Sequence, residues 1–389
     1  IRVALLALIM NSVPVSFGAV GTPTWYGMGQ LGMTSAQLLE VGQKTAIIHG
    51  FAALLIPIIA LRFVVSWQEI RLNLFFIYLS ILSCVIPYVL LAMANYEFPA
   101  LIGGATGFLL SIVLASKKTG MGPSGSSSRT ATPEAIDNHS LFRAFFPILG
   151  IILILVITRI PALQFRGLMN AESPALTFEL GSFGIISISA ALVIEITEIF
   201  GTNTSWAYKT LFVPAFIPFF LMFGASIWFF RLKRQTTKQI WDESYERIKK
   251  PVITLMGALV MVQLMMVGGD RSLTTMVGRA FASASGESWQ FYASYLGALG
   301  SFFSGSCTVS NLTFGGIQEA IAKNIGLDPT LILALQSVGG AMGNMVCINN
   351  IVAVCSILGI YNQEGFILKR TVIPMLAYGL VAAMISLFL

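Results

Sequence analysis

Apolar stretches long enough to cross a lipid bilayer recur along this chain, and they restrict its fold more than any other feature. A helix needs about 20 mostly apolar residues to span the hydrocarbon core. Hydrophobic residues make up 56% of the 389 residues and charged residues only 10%, which is more apolar surface than a soluble globule can bury. We therefore predict an all-α, polytopic helical membrane protein. Its candidate spans are residues 1–26, 41–65, 72–96, 98–115, 141–160, 208–230, 251–268, 288–318, 329–360 and 366–389.

Charge and cysteine content exclude several other classes of protein. The formal net charge of +6 comes from basic residues in loops beside the apolar stretches, where they orient a membrane protein, so we expect no nucleic-acid partner. The four cysteines all lie inside apolar stretches, without a CxxC pair or histidines at metal-ligand spacing. We expect reduced cysteines, no metal and no cofactor.

The basic residues also indicate which segments face the cytoplasm. Two other predicted spans connect the last two basic segments, so residues 174–200 should remain outside the membrane without crossing it. The predicted cytoplasmic regions are Arg2, the turn with Arg62 and Arg71, segment 116–143 and segment 231–250.

Residues 174–200 have the pattern of a strand. In VIEITEI, residues 193–199, Glu195 and Thr197 alternate with Val and Ile at a period of two. On this interpretation Glu195 and Glu198 are solvated, whereas in a membrane helix they would be candidate proton carriers.

Composition divides the chain into four parts. Residues 1–115 are interpreted as the remainder of a first transmembrane repeat and residues 251–389 as a second one. Between them, residues 116–143 are a predicted flexible cytoplasmic loop. Residues 144–250 contain connecting spans, the external non-spanning segment and a cytoplasmic amphipathic helix at 235–250, which we expect to lie on the membrane surface.

An internal repeat relates the two ends of the chain. Residues 16–27, SFGAVGTPTWYG, align with residues 304–315, SGSCTVSNLTFG, and the spacing of glycines and a glutamine farther on also agrees. An odd number of predicted crossings separates the copies, so they would run in opposite directions, as inverted repeats do in secondary transporters. Each copy has a polar, glycine-containing break in an apolar helix, so we predict discontinuous transmembrane helices.

These breaks supply the candidate substrate-binding residues. Polar backbone at membrane depth is tolerated only where it lines a cavity or is buried in protein. Half-helix N-termini present unpaired N–H groups that suit a carboxylate, and Ser, Thr and Asn side chains would fix its orientation. Small polar residues are also the usual contacts between transmembrane helices, and this packing role is the alternative for each of them. The candidates are Ser16, Thr22, Ser304, Ser306, Thr308, Ser310, Asn311, Gln336 and Asn344.

Four stretches carry a resemblance to known proteins, and they are NSVPVSFGAVGTP (11–23), FSGSCTVSNLTFGGIQ (303–318), ALQSVGGAMGNMVCINNIVAV (334–354) and EGFILKRTV (364–372). Together they resemble the L-lactate permease family. The resemblance implies uptake of L-lactate and related 2-hydroxymonocarboxylates such as glycolate, coupled to protons, by a multi-pass protein of the bacterial plasma (inner) membrane. It implies three partners, which are a small carboxylate, protons and the lipid bilayer. It also implies a missing N-terminal part, in agreement with an apolar run already under way at Ile1.

Two positions depart from the pattern of that family. Several members have an acidic residue where this chain has Cys307, and a lysine where it has Asn344. Because acid and base are lost together, charge balance is kept, but the coupling ion and the substrate stay open. One alternative is therefore a carrier of another organic or inorganic anion, with sodium as a further choice of coupling ion. The other is a membrane-embedded enzyme, although the sequence contains neither HExxH nor GxSxG.

His49 is the candidate for proton coupling. It lies in an apolar predicted helix, and imidazole is the side chain that titrates near neutral pH. A lone histidine in a membrane helix is more often a hydrogen-bonded packing residue, which is the alternative role. Glu40 and Lys44 lie one turn apart on the same predicted helix and are expected to pair with each other.

Overall fold

Most of the apolar windows fold into helices in the computed structural model, which describes residues 1–122, 141–159, 163–202, 205–213, 216–268, 271–360 and 362–389. Most of the predicted flexible loop 116–143 lies outside these residues. The chain forms two compact units, one of residues 1–128 with 250–389 and one of residues 129–249. The division of the chain into two repeats and their connecting parts stays a prediction.

The first unit is a bundle of helices whose starting points are set by short polar caps. The Thr34 hydroxyl accepts from the backbone N–H of Gln37 at the start of α3, and Asp328 caps α14 in the same way through the N–H of Thr330. These helices are α1 Arg2–Met10, α2 Gly18–Trp25, α3 Ser35–Arg62, α4 Trp67–Leu72, α5 Leu74–Ala92, α6 Pro99–Ser116, α11 Leu273–Ser285, α12 Trp289–Ser304, α13 Cys307–Ile325, α14 Pro329–Met342, α15 Ile348–Ile357 and α16 Glu364–Ser386.

The second unit contains an antiparallel meander of four strands in the order β1-β2-β3-β4. In β3, Glu195 lies opposite Ser187 on one side and Ala207 on the other. The period-two pattern of residues 193–199 therefore predicted a strand correctly. Here the strands are β1 Ala175–Glu179, β2 Ile185–Ser189, β3 Val193–Thr197 and β4 Trp206–Lys209, and the helices are α7 Leu141–Arg159, α8 Phe165–Met169 and α9 Phe216–Phe229, with α10 Arg234–Met266 following.

Four helices in the described part of the chain are long and apolar enough to cross a membrane: α3, α5, α6 and α16. Two more candidates are pairs of helices that meet at an angle. Residues 2–10 and 15–31 form an angle of 54°, and residues 329–346 and 348–355 form an angle of 42°. The fold is therefore an all-α membrane protein that carries one small sheet.

Window 288–318 was expected to be one span, and this prediction was wrong. Ser310 Oγ donates to the carbonyl of Gly297 at 2.6 Å, and Gln318 Nε2 donates to the carbonyl of Ala293 at 2.8 Å. These pairs require α12 and α13 to run antiparallel, so the chain reverses direction at Gly305, whose φ of 72° favours glycine. The window forms a helical hairpin.

The predicted surface helix at 235–250 is also wrong in its extent. The structure has one helix, α10, that continues through this charged segment into the predicted span 251–268 without a loop. A change from charged to apolar side chains does not by itself end a helix, because the hydrogen bonds of a helix are made by its main chain.

Glycines let α12 and α14 pack with their backbones in contact. A Cβ at Gly339 would overlap with the carbonyl oxygen of Ser294, and a Cβ at Gly297 would overlap with that of Gln336. One turn farther along, a Cβ at Gly343 would overlap with Ala298. Small residues at these positions therefore allow the backbones of the two helices to approach closely.

Candidate functional site

Three interruptions of helical structure meet inside the first unit. They are the junction between α1 and α2 (residues 11–17), the tip of the α12–α13 hairpin (residues 304–306) and the junction between α14 and α15 (residues 343–347). Ser16, in the first junction, donates to the carbonyl of Ser337 on α14 at 3.0 Å. At the hairpin tip, a Cβ added to Gly305 would lie 3.2 Å from Cys347 Sγ, in the third junction. The backbone N–H and C=O groups at the ends of these interrupted helices thus lie close together in the interior of the unit.

His49 on α3 joins the first of these interruptions to α16. Its Nε2 lies 2.8 Å from Ser16 Oγ, and its Nδ1 lies 2.5 Å from Tyr378 Oη. All three side chains are fully buried. The hydroxyl of Ser337 donates to Ser16 Oγ at 3.1 Å, which extends the chain of hydrogen bonds to α14. The candidate for proton coupling therefore lies in a continuous polar path.

A second group of buried amides lies between α13 and α14. Gln336 Nε2 donates to Ser310 Oγ at 3.0 Å, and Asn311 Oδ1 lies 3.5 Å from the same nitrogen. Asn311 Nδ2 donates to the carbonyl of Pro23 on α2 at 2.9 Å. Gln318 Nε2 donates to Gln336 Oε1 at 3.0 Å, and its own Oε1 accepts from the indole of Trp289 at 2.8 Å. We call the His49 path and these amides together the buried polar cluster.

Cys307 connects the two parts of the buried polar cluster at the N-terminus of α13. Its thiol lies 3.3 Å from the carbonyl of Ser337 and 3.8 Å from Asn311 Nδ2. Ser306 caps α13 by accepting from the N–H of Val309 at 3.3 Å. The hydroxyl of Ser304 donates to the carbonyl of Gly300 at 2.8 Å and accepts from the N–H of Ser306 at 3.2 Å. The hairpin tip thus directs the start of α13 toward the cluster.

The nine predicted binding residues fall into two groups. Ser16, Ser310, Asn311 and Gln336 are fully buried members of the cluster, and Ser304 and Ser306 form the hairpin tip beside it. The other three lie apart from these bonds. Thr22 is hydrogen-bonded to Ala19 within its own turn, Thr308 is half-buried on the first turn of α13, and Asn344 bonds to the carbonyl of Gly340 and to Asn350.

Cys307 and Asn344, the two positions that depart from the family pattern, both contact the turn of α14 that contains Gly340. A Cβ at Gly340 would lie 2.8 Å from Cys307 Sγ, and Asn344 Nδ2 donates to the carbonyl of Gly340 at 2.8 Å. An acidic side chain at position 307 and a basic one at position 344 would therefore both lie next to the same turn of α14.

Three members of the cluster were missed by the sequence analysis: Ser337, Gln318 and Tyr378. Ser337 directly follows the predicted Gln336 and could have been named with it. Gln318 directly precedes the charged Glu319, so its polarity does not distinguish it from a solvated part of the helix. Tyr378 gives no signal either, because a tyrosine in a membrane helix is ordinary.

One buried hydroxyl near His49 has no partner. Thr45 lies one turn before His49 on α3, and its Oγ1 is buried without a hydrogen bond among the described residues. A buried hydroxyl without a partner costs about 1–3 kcal/mol, so such groups are rare. The hydroxyl of Thr45 thus has unused hydrogen-bonding capacity one helical turn from His49.

The start of α2 has an unusual backbone. Ala19, Val20 and Gly21 all have positive φ, at 45°, 57° and 71°. A β-branched residue such as Val20 rarely adopts this conformation, which costs about 1–3 kcal/mol. Gly21 is also required by space, because a Cβ there would overlap with the carbonyl of Tyr96. This strained turn leads directly to Pro23, the partner of Asn311.

Charged side chains approach the same helices at their other ends. Lys44 on α3 bonds to Glu40 at 2.7 Å, which confirms the predicted pair, and it also pairs with Asp328 at the start of α14. Burial alone would raise the pKa of Asp328, but hydrogen bonds from Lys44 and Thr330 outweigh it and lower that pKa below its ordinary value of 3.8. In the described residues that form the buried polar cluster, all side chains other than His49, Tyr378 and Cys307 are non-titrating.

Comparison of the sequence with known proteins identifies the family of this chain. The profile of the L-lactate permease family matches residues 1–389. A Haemophilus influenzae protein named "Putative L-lactate permease" is 51% identical over 389 residues, which are 100% of this chain and 73% of that protein. The L-lactate permease of Bacillus subtilis is 24% identical, over 94% of this chain and 67% of its own length. The glycolate permease GlcA of Escherichia coli is 23% identical, over 98% of this chain and 70% of its own length. No solved structure matches the chain. Because these relatives are permeases rather than enzymes, we conclude that the chain is a membrane transport protein of the L-lactate permease family.

Proposed function

We propose that this protein takes up L-lactate and related 2-hydroxymonocarboxylates, such as glycolate, together with protons across the bacterial plasma (inner) membrane. Relatives named for L-lactate and for glycolate support this substrate class. The observation that carries the proposal is the buried polar cluster, in which the His49 path meets three interruptions of helical structure.

The N-terminus of α13 is the proposed binding point for the carboxylate. Unpaired N–H groups and the helix dipole give such an end a partial positive charge, and Ser306 and Ser304 keep it in place at the hairpin tip. The amides of Asn311 and Gln336 on one side and Ser16 on the other would orient the bound anion. The substrate's 2-hydroxyl group needs one further partner, and the unpartnered hydroxyl of Thr45 can supply it.

His49 is the proposed proton carrier. A carboxylate brings a negative charge into a region of low dielectric constant, where a neighbouring imidazolium would stabilise it strongly. Binding of the anion would therefore favour protonation of His49, and release of the anion would favour loss of the proton. This reciprocal preference is the thermodynamic requirement for coupled transport.

Alternating access between two repeats remains part of the proposal. The break in the first predicted copy forms an angle of 54°, whereas the matching stretch of the second copy reverses direction in the α12–α13 hairpin. The two copies therefore differ in local geometry at the aligned positions 16–27 and 304–315. Movement of the hairpin tip against the Ser16 junction would open the cluster to one side of the membrane at a time.

Uptake of labelled L-lactate into proteoliposomes that contain the full-length protein tests this function. We expect accumulation that depends on an inside-alkaline pH gradient, that is abolished by a protonophore and that is inhibited by unlabelled glycolate but not by succinate. Liposomes without protein are the control. Accumulation driven by a sodium gradient, or the absence of lactate uptake from folded protein, would overturn the proposal in favour of another coupling ion or another anion.

A further inference from the structure

We infer that Tyr378 is a positioning residue that holds His49 in a single tautomer, with the proton on Nε2, where it faces Ser16 and the substrate region. This inference deepens the proposed function and rests on the role of His49 in it. Tyr378 lies on α16 and His49 on α3, 329 residues apart in the sequence, and both side chains are fully buried.

A count of hydrogen atoms assigns the tautomer. A carbonyl oxygen can only accept, so the bond of 3.0 Å between Ser16 Oγ and the carbonyl of Ser337 uses the one hydroxyl hydrogen of Ser16. Ser16 Oγ must then accept along its other two bonds, from the hydroxyl of Ser337 and from His49 Nε2. His49 therefore carries its proton on Nε2, and its bare Nδ1 accepts from the hydroxyl of Tyr378.

The opposite tautomer satisfies fewer groups. With the proton on Nδ1, Tyr378 Oη would become the acceptor, and its own hydrogen would have no partner in the part of the chain that the structure describes. Ser16 would have to turn its hydrogen from the carbonyl of Ser337 to His49 Nε2. An unsatisfied buried hydroxyl and a lost hydrogen bond both disfavour this arrangement.

Protonation of His49 displaces the hydrogen of the Tyr378 hydroxyl from its acceptor. An imidazolium donates from both nitrogens, so Tyr378 Oη must accept from Nδ1 and turn its own hydrogen elsewhere. The Tyr378 hydroxyl thus transmits the protonation state of His49 to α16. Next to it on α16, a Cβ at Gly379 would overlap with the ring of Tyr295 on α12, so α16 has little free space in which to adjust.

Few titratable groups surround His49 in the described structure. From the elements packed against α3, helix α16 contributes Tyr378 and helix α5 contains Tyr78, Cys84 and Tyr88, while α2 and α14 contain no titratable residue. Cys307 on α13 is reached through Ser337. The charged residues on α3 and the neighbouring elements stand toward helix ends: Glu40, Lys44 and Arg62 on α3 itself, Arg2 on α1, Glu69 and Arg71 on α4, and Glu364, Lys369 and Arg370 on α16.

Nitrogen-15 NMR of histidine-labelled full-length protein tests the assignment. The signal of His49 is identified as the one that disappears in His49→Gln. We expect the directly bonded proton on Nε2 in the unsubstituted protein. In Tyr378→Phe only the hydrogen bonds of Ser16 still favour Nε2, so we expect a detectable fraction of the protein to carry the proton on Nδ1. A proton on Nδ1 in the unsubstituted protein, or an unchanged single tautomer in Tyr378→Phe, would overturn the inference.

A matched control separates positioning from packing. Tyr295→Phe removes a hydroxyl that donates to the carbonyl of Leu376 at 2.9 Å, on the same helix as Tyr378, without touching His49. We expect Tyr378→Phe to shift the pH profile of lactate uptake and Tyr295→Phe to leave it unchanged. Equal shifts in both variants would contradict a specific role for Tyr378. The tautomer is measured without transport, so this result stays separate from a failure of the proposed function itself.

Discussion

The hydroxyl of Ser16 donates a hydrogen bond of 3.0 Å to the carbonyl oxygen of Ser337, which lies 321 residues farther along the chain. Ser16 belongs to the junction between α1 and α2, and Ser337 to α14, so this bond joins the first interruption to the helix that leads into the α14–α15 junction. The same serine also contacts His49. The hydroxyl of Ser16 therefore connects the proposed proton carrier on α3 to the α1–α2 junction and to α14.

Replacement of Ser16 should destabilise the protein. In Ser16→Ala, the donors His49 Nε2 and Ser337 Oγ lose their acceptor, and each buried donor left unpaired costs about 1–3 kcal/mol. Thermal unfolding in detergent measures the loss. Ser294→Ala is the matched control, because the buried hydroxyl of Ser294 has no partner among the described residues. A destabilisation of Ser294→Ala equal to that of Ser16→Ala would contradict the importance of the hydrogen bonds.

Removal of the imidazole should separate lactate movement from the proton gradient. In His49→Gln the amide still forms hydrogen bonds but does not titrate, so we expect gradient-driven accumulation to fall by about 100-fold. Exchange of labelled for unlabelled lactate, which needs no net proton movement, should continue. His139→Gln, at the other histidine of the 389-residue chain, is the control. An unchanged pH dependence of uptake in His49→Gln would remove His49 from the coupling mechanism.

Asn311 is expected to be essential for uptake. Asn311→Leu keeps the approximate size of the side chain but removes the donor to the carbonyl of Pro23 and the contact with Gln336. Lactate uptake should be lost while the amount of protein in the membrane stays the same. Thr313→Val is the control on the same helix, because the hydroxyl of Thr313 donates to the carbonyl of Val309 within α13 at 2.8 Å. Normal uptake by Asn311→Leu would exclude Asn311 from the site.

The contact between α12 and α14 should tolerate no side chain at Gly339. In Gly339→Val, the added atoms would meet the carbonyl of Ser294, and overpacking of this kind typically costs about 1–3 kcal/mol. The variant should unfold at a lower temperature in detergent. Gly104→Ala on α6 is the control, since a Cβ there meets no atom within 4 Å, and alanine in a helix stabilises by about 0.5–1 kcal/mol. Equal stability of the two variants would contradict the close packing.

The Lys44–Asp328 pair predicts a loss of stability in acid. The pKa of Asp328 is lower in the folded protein than its ordinary value of 3.8, so its contribution is fully present above that value and is lost as the pH falls through the lower, folded pKa. In Asp328→Asn the melting temperature should depend less on pH in this range. Glu319→Gln is the control, because its partner Lys323 is 62% exposed and the pair is screened by solvent. Identical acid profiles for the unsubstituted protein and Asp328→Asn would contradict the prediction.

The helical spans were predictable because their signal is local. A continuous apolar stretch such as 72–96 leaves the backbone no choice in lipid but a helix, and the structure has α5 there. The strand at residues 193–197 was equally visible, because its period of two differs from the 3.6-residue period of a helix. The hairpin at 288–318 was not predictable, since apolar side chains on both sides of Gly305 suit one long helix and two antiparallel helices equally well.

The polar residues of the site were predictable from the sequence, but their hydrogen-bond partners were not. Ser16, Ser310, Asn311 and Gln336 could be named from polarity, because a polar side chain in an apolar stretch needs a partner wherever the chain places it. The identity of that partner could not be predicted, because Tyr378 is 329 residues from His49 in the sequence and meets it only through the packing of α16 on α3. Local side-chain chemistry therefore specifies which groups require hydrogen bonds in the interior, whereas the crossing of distant helices selects the groups that supply them.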